Sequence, residues 1–421
     1  MTSDSTAEPG TATGPGGHHG GRTGTGTRHL RDRRAAGLAR YVVAATLVRS
    51  ADGGAVVAIV LLALDSGLPG WLAGVLGASI TAPHLLGPFI ARRLDTADDG
   101  RKLIALSAVL HGVLLGAAAL LLPVTWPLWP ALLLVASGLF GPMLTGGISS
   151  RLPAIAGPAL RSQRRVQSWD VASYGLAGTL GPAAVAWIAA AADPLTATLL
   201  LASAAVLGAG GILALPRQEP PVKGAEVPGP VRTLRLMVRS GPLRRTLLLT
   251  VTVAFAVAAL PISAAAATLD TPPAAGTLVA AYGIGNLLGS AALMIRPLRR
   301  DADRLMSSLA FVVAAMLTLT LLTPTFEASL AAFCLTGTAN ALFFAATLAG
   351  RSEYAPRAAR GLVFIWVGAL KIAAGSAGTA AAGAAIPFGS WVPLGLASAA
   401  TVGAAAISML DRSRSGDQRA S

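Results

Sequence analysis

The chain has 421 residues, of which 53% are hydrophobic and 12% charged. Soluble domains carry about 25% charged residues, so this balance excludes an ordinary soluble protein and points to a bilayer. The net charge of +14 suggests nucleic acid in a soluble chain, but the placement of the charges excludes that partner here. The single cysteine, Cys334, rules out an intrachain disulfide and argues against a cysteine-based metal site. It lies in an apolar run and reads as a packed thiol.

Residues 1–37 are rich in Gly, Thr and Arg and too polar to fold alone, so they are expected to form a disordered cytoplasmic tail. No apolar core of a signal peptide occurs there. His18 and His19 fall in this tail, and two adjacent histidines are fewer ligands than a metal site requires. From Tyr41 onward, apolar runs predict helices near 41–64, 71–91, 102–122, 127–150, 167–192 and 195–215. After a break they resume near 245–269, 274–295, 304–323, 328–349, 360–386 and 389–410. The expected fold is therefore an all-α integral membrane protein with about twelve transmembrane helices in two six-helix halves. The expected organisation is an N-terminal half at 38–215, a cytoplasmic linker at 216–244, a C-terminal half at 245–411 and a cytoplasmic tail at 412–421. Pro83, Pro142, Pro182 and Pro261 fall inside spans, where membranes tolerate them.

The breaks alternate in charge. Those at 92–102, 151–165, 217–245, 296–304 and 351–360 are basic, as are both termini, and the intervening breaks carry no Lys or Arg. Of the 33 Lys and Arg residues, all but Arg49 and Lys371 fall in the basic breaks or tails. The positive-inside rule then places both termini and the basic breaks on the cytoplasmic side of a cell membrane. The basic excess faces anionic lipid headgroups, without nucleic acid. Within the linker, VRTLRLMVRSGPLRR mixes Leu234, Leu236, Met237 and Val238 with arginines. It reads either as a short helix on the inner membrane surface or as a solvated linker.

Three ionisable residues stand out inside spans. Arg49 and Asp52 share one face of the first helix at i,i+3, and Lys371 sits in the eleventh. At a rise of about 1.5 Å per residue, Asp52 and Lys371 each lie roughly 16 Å from the cytoplasmic end of their helix. Charges at that depth are costly and mark a functional site or a pinning ion pair. Arg49 is expected to serve as the partner of Asp52. Lys371 has no acid on its own helix, so it must be neutral, paired across the bundle or in water. Asp170 reads as a helix cap or a partner of Arg164 or Arg165. His84 and His111 read as hydrogen-bonded core histidines or as proton carriers. Trp71, Trp126, Trp129, Trp187 and Trp391 fall near the outer span ends, as an aromatic belt does.

Two six-helix halves joined by a cytoplasmic linker resemble the major facilitator superfamily, with a likeness to its actinobacterial-type efflux members. The resemblance covers residues 38–411. The loop ARRLDTADDGRKL after the second helix is similar to the family's signature there, through Asp95, Gly100, Arg101 and Lys102. Ala91 replaces its first Gly, and the loop is about two residues longer. The resemblance implies that this stretch latches the halves together, with Asp95 meeting the positive end of the eleventh helix near Arg360 and Gly361. In the fifth helix, Gly178, Gly181 and Pro182 of GLAGTLGPAAVAW look like the family's antiporter motif, although Val185 and Ala186 stand where full versions carry Gly. Small residues at that spacing also serve helix packing. In the fourth helix, Ser137 of SGLFG stands where the drug-antiporter pattern carries an Arg linked to proton coupling.

These residues and the resemblance lead to one functional expectation: a secondary transporter exporting a small apolar or amphiphilic compound by proton antiport. The alternatives are an uptake permease or symporter on the same fold, and third a membrane-embedded enzyme or channel. No enzyme activity, cofactor or metal is expected, and the P-loop sequence is absent. YGIGNLLG lies in a span rather than after a strand, which rules out a nucleotide loop. The expected partners are a small-molecule substrate, protons or another ion and the lipid bilayer, with the protein a monomer.

Overall fold

The computed structural model describes residues 23–218, 228–268 and 272–420, with side chains of 35–94, 96–218, 228–268 and 274–414. Twelve helices among these residues are long and apolar enough to cross a membrane. In the first half they are α1 (Ala35–Asp65), α2 (Gly70–Leu94), α3 (Gly100–Leu121), α4 (Leu128–Ala156), α5 (Leu160–Ala191) and α6 (Pro194–Leu213). In the second they are α7 (Gly241–Ala267), α8 (Ala274–Ile295), α9 (Ala302–Leu322), α10 (Phe326–Tyr354), α11 (Arg357–Phe388) and α12 (Val392–Arg414). All twelve expected spans have a counterpart. The helix carrying α1 begins at Thr23.

The ends of three spans differ from expectation. α5 begins at Leu160, seven residues earlier than its apolar run, while α4 continues to Ala156 and α10 to Tyr354. Charged residues of the basic breaks, Arg164 and Arg351 among them, therefore sit inside helices. Hydropathy ends a span where charge begins, but a helix continues wherever its backbone groups stay paired and its side chains find partners. α4 is not uniform. Its π turn at Met143–Gly147 follows Pro142, which cannot donate to the helical ladder.

Close approach of small residues holds each half together, since lipid supplies no hydrophobic drive between helices. A Cβ on Gly112 of α3 would lie 2.6 Å from the Ala202 carbonyl of α6. In the other half, a Cβ on Gly289 of α8 would lie 2.7 Å from the Thr338 carbonyl of α10. Gly285 and Gly337 make the same approach from both sides. Gly285 and Gly289 of YGIGNLLG are thus packing positions, while Gly283 lines the space between the halves.

Contacts between the halves gather toward the face that carries the linker. Arg164 Nε on α5 lies 2.8 Å from Glu353 Oε1 on α10. The Phe89 and Trp366 rings of α2 and α11 meet edge to face at 5.9 Å. Gly146 on α4 packs on the Phe364 carbonyl of α11. The linker contains a helix, Pro230–Arg239. Its Met237 is buried against Val363, Trp366 and Val367, and Trp366 Nε1 donates to the Pro230 carbonyl at 3.0 Å. Met237 thus docks this helix on α11, where the sequence left open a membrane-surface helix and a solvated linker, while Val231 and Val238 remain exposed.

Candidate functional site

A cavity of about 760 Å³ lies between the halves. Its wall in the first half comes from α1, α2, α4 and α5, and its wall in the second from α7, α8, α10 and α11. It extends past Pro182 and Ala183 late on α5, Pro261 late on α7 and Gly276 early on α8. Those positions lie toward the face opposite the linker. The cavity thus reaches toward the face opposite the linker, while Ser290 late on α8 and Arg351 late on α10 line it toward the linker face.

Arg49 does not pair with Asp52. Its Nη1 lies 2.7 Å from Asp170 Oδ1 on α5, with both side chains almost completely buried. Asp170 also accepts from the Tyr41 hydroxyl at 2.5 Å and from Ser149 Oγ at 2.8 Å. Arg49 further donates to Ser149 Oγ at 2.8 Å and to Ser173 Oγ, and its guanidinium lies 3.6 Å from the Tyr174 ring centre. Burying two ions costs several kcal/mol each, and such a pair persists only when further hydrogen bonds satisfy both partners. Here Asp170 and both Nη atoms of Arg49 have such partners, while Arg49 Nε has none among the described residues. The expectation that Asp170 caps α5 or pairs with Arg164 or Arg165 is also corrected, because α5 starts ten residues earlier and carries Asp170 about 15 Å into the bundle.

Asp52 pairs instead with His84 of α2, at 3.3 Å between Oδ1 and Nε2. The His84 Nδ1 lies 3.0 Å from the Ile80 carbonyl, which fixes the ring. Both residues line the cavity. His111 of α3 is fully buried behind them, with Nδ1 at 2.9 Å from Ser137 Oγ. Ser137, at the position where the drug-antiporter pattern carries an Arg, therefore holds a histidine. A carboxylate touching an imidazole forms a unit that can exchange a proton with the cavity.

The opposite wall carries two basic side chains. Lys371 Nζ lies 3.9 Å from the Phe344 ring centre and 5.6 Å from that of Tyr174. It makes no hydrogen bond or ion pair among the described residues. Arg351 also lines the cavity, although the sequence placed it in a basic loop. Helical side chains tilt toward the helix N-terminus, and this tilt carries its guanidinium back into the bundle. There its Nη2 donates to Thr347 Oγ1 at 3.3 Å, with the Phe344 ring 5.7 Å away. Asn286 of α8 and Asn340 of α10 add neutral polar groups, joined at 3.1 Å. None of Arg351, Tyr174, Phe344, Asn286 and Asn340 stands out in the sequence, because only the fold turns them toward one space.

No family model and no curated protein sequence matches the chain. Solved structures do. The human organic anion transporter MFSD10 superposes with a TM-score of 0.66 at 14% identity, over 88% of this chain and 99% of that one. The proton:xylose symporter XylE gives a TM-score of 0.65 at 13% identity, over 88% and 95%. A bacterial homologue of the iron transporter ferroportin, in an outward-facing state, gives 0.68 at 14% identity, over 89% and 99%. This chain has the major facilitator fold.

Within the major facilitator fold, the loop after α2 ties the first half to itself. Arg101 donates to Asp99 at 2.8 and 2.9 Å and to the Leu213 and Leu215 carbonyls at the end of α6. Those hydrogen bonds from Arg101 hold the Asp99 carboxyl at about 2, below its ordinary 3.8. Gly100 is buried where a Cβ would lie 2.6 Å from Arg151 Nη1, and Lys102 is exposed. Asp95 falls in the last turn of the helix Gly87–Thr96, and its side chain lies outside the described residues. In α5, a Cβ on Gly181 would lie 2.9 Å from the Ser50 carbonyl of α1, so this glycine permits helix contact. Gly178 and Pro182 face the cavity. Among the described residues no group of His, Cys, Asp and Glu could hold a metal ion.

Proposed function

We propose that the protein is a secondary active transporter of a cell membrane, monomeric, that exports a small apolar or amphiphilic compound in exchange for protons. The observation that carries this reading is the Asp52–His84 pair on the wall of the cavity between the halves. A titratable pair open to the same space as a substrate lets proton and substrate bias each other's binding. The loop charge asymmetry orients the linker face toward the cytoplasm, with both termini there, so the cavity is accessible from outside in this conformation.

A proton from outside enters at Asp52 and His84. His111 lies fully buried behind this pair on α3. Protonation weakens the link between α1 and α2 and permits rocking. Contacts of the linker face, such as Arg164–Glu353 and Phe89–Trp366, then part so that the cavity opens inward. The stretch at Asp95, Gly100, Arg101 and Lys102, expected as a latch between the halves, braces the first-half side of that face through the Arg101 hydrogen bonds to the end of α6. Arg49 and Asp170, ion-paired to each other and held by the hydroxyls of Tyr41, Ser149 and Ser173, serve as a fixed strut. This differs from a proton carrier built of Arg49 and Asp52. The export direction rests on the likeness of Gly178, Gly181 and Pro182 to an antiporter motif. A second reading, uptake by symport, is favoured by the structural likeness to a proton:xylose symporter.

Proteoliposomes with an imposed pH gradient, screened against a compound panel, test the proposal. Substrate moving against the proton flux is expected. Movement with the proton flux favours symport, and flux indifferent to the gradient overturns proton coupling.

A further inference from the structure

The cavity's charges are unevenly shared. On the first-half wall every ionisable group is matched: Arg49 by Asp170 and Asp52 by His84. On the second-half wall stand two cations, Arg351 and Lys371, and no carboxylate lines the cavity there among the described residues. Arg351 is 1% exposed, its guanidinium donates to a threonine hydroxyl, and its Nε finds no acceptor among the described residues. Lys371 rests on an aromatic face. Cations held this way in a largely apolar wall are costly unless a counter-ion joins them.

We infer that Arg351 and Lys371 bind the acidic group of a flat, largely apolar organic anion, whose body lies against the Tyr174–Phe344 pair. This assignment names the substrate class of the transport reading above and rests on it. Three features of the geometry carry it. First, both basic heads lie near one ring, Phe344, at 5.7 and 3.9 Å from its centre, and both line the same cavity. A guanidinium supplies a planar fork for a carboxylate or sulfonate, and an ammonium adds an adaptable point charge. Second, Tyr174 and Phe344 come from opposite halves and meet edge to face at 4.9 Å and 90°. A flat body placed there touches both halves at once, as a carried substrate must. Third, about 760 Å³ suits a ligand of drug size rather than a bare inorganic ion. Lys371 is the movable member. Its head rests on the Phe344 ring, and an arriving acid exchanges that contact for a charge-assisted hydrogen bond.

The experiment compares three probes of one shape, 1-naphthoate, 1-naphthamide and 1-naphthylmethylamine, binding to the full-length purified protein in a chloride-free neutral buffer. Naphthoate should bind about tenfold or more tighter than the amide, with the amine weakest. Lys371→Gln and Arg351→Gln should each remove most of that preference while leaving amide binding unchanged, and Lys371→Arg should retain it. Size-exclusion profiles separate loss of binding from loss of fold, and the wild-type comparison stands even if a variant fails to fold. Equal binding of acid and amide, absence of naphthoate binding at millimolar concentration, or a preference that survives both Gln variants overturns the assignment. So does displacement of naphthoate by equimolar chloride or phosphate, which would make the pair an inorganic anion site. The two readings fail separately. An acid preference without pH-driven flux leaves the anion site and removes antiport, whereas pH-driven flux without acid preference does the reverse.

Discussion

Replacing Asp170 by Asn keeps the size of the side chain and removes its charge. Asp170 is completely buried, and Arg49 lies 2.7 Å away at 3% exposure. The variant leaves a buried guanidinium facing only neutral acceptors, namely the hydroxyls of Tyr41, Ser149 and Ser173 and the Thr145 carbonyl. Removing one member of a buried ion pair costs about 3–5 kcal/mol. At about 1.4 kcal/mol per tenfold, that is at least a hundredfold in the folded-to-unfolded ratio. Replacing both partners, Arg49→Met with Asp170→Asn, removes both charges together. Its residual cost is the loss of hydrogen bonds to a charged acceptor, about 1.5–3 kcal/mol. The double variant should therefore be more stable than Asp170→Asn alone. Equilibrium unfolding in mixed micelles measures all members of the cycle. An Asp170→Asn variant within about 1 kcal/mol of the wild type, or two single losses that simply add, would refute the strut.

Further predictions address the ends of the spans. Asp99 accepts from the Arg101 N–H at 3.1 Å and caps α3, so Asp99→Ala should destabilise the protein by about 0.5–2 kcal/mol near neutrality. Because the folded-state carboxyl sits at about 2 against an ordinary 3.8, this contribution is full above the ordinary value and is lost as pH falls through about 2. The gap in melting temperature between variant and wild type should stay constant down to about pH 4 and then close; a gap independent of pH would count against the carboxylate. Glu353→Gln removes the charge that Arg164 meets at 2.8 Å and should shift the balance toward an open linker face by about 1 kcal/mol. Faster labelling from that side of a cysteine placed at Thr145, in a Cys334→Ala background, would register the shift, and unchanged labelling would make the contact incidental. Reporter fusions after Gly157 and Arg299 should read cytoplasmic, and those after Ser66 and Pro127 external. A reversed pattern would invert the transport direction.

Much of the architecture is legible in the sequence because bilayer thickness imposes a length on every span and the charge of each break alternates. The partners of the buried charges are not. Arg49 and Asp52 share a helix face, yet the fold sends them to different neighbours, Asp170 and His84, at sequence separations of 121 and 32. An i,i+3 relation shows which residues can meet, and the cost of burial then selects the partner with the most complete hydrogen bonding. Arg351 is hidden by its address: it lies beside Glu353 and Arg357 in what reads as a basic loop, and only the length of α10 and the backward tilt of its side chain bring it into the cavity. Ser137 reads as a missing cation, whereas in the fold it is the partner of His111.

The central claim is that Asp52, paired with His84, couples proton movement to transport through the cavity. The most direct measurement is flux through Asp52→Asn in proteoliposomes, read once with an imposed pH gradient and once as exchange without a gradient. The account predicts that the variant loses pH-driven transport while exchange continues and the protein stays monodisperse. Transport that follows the pH gradient in Asp52→Asn as it does in the wild type would contradict it.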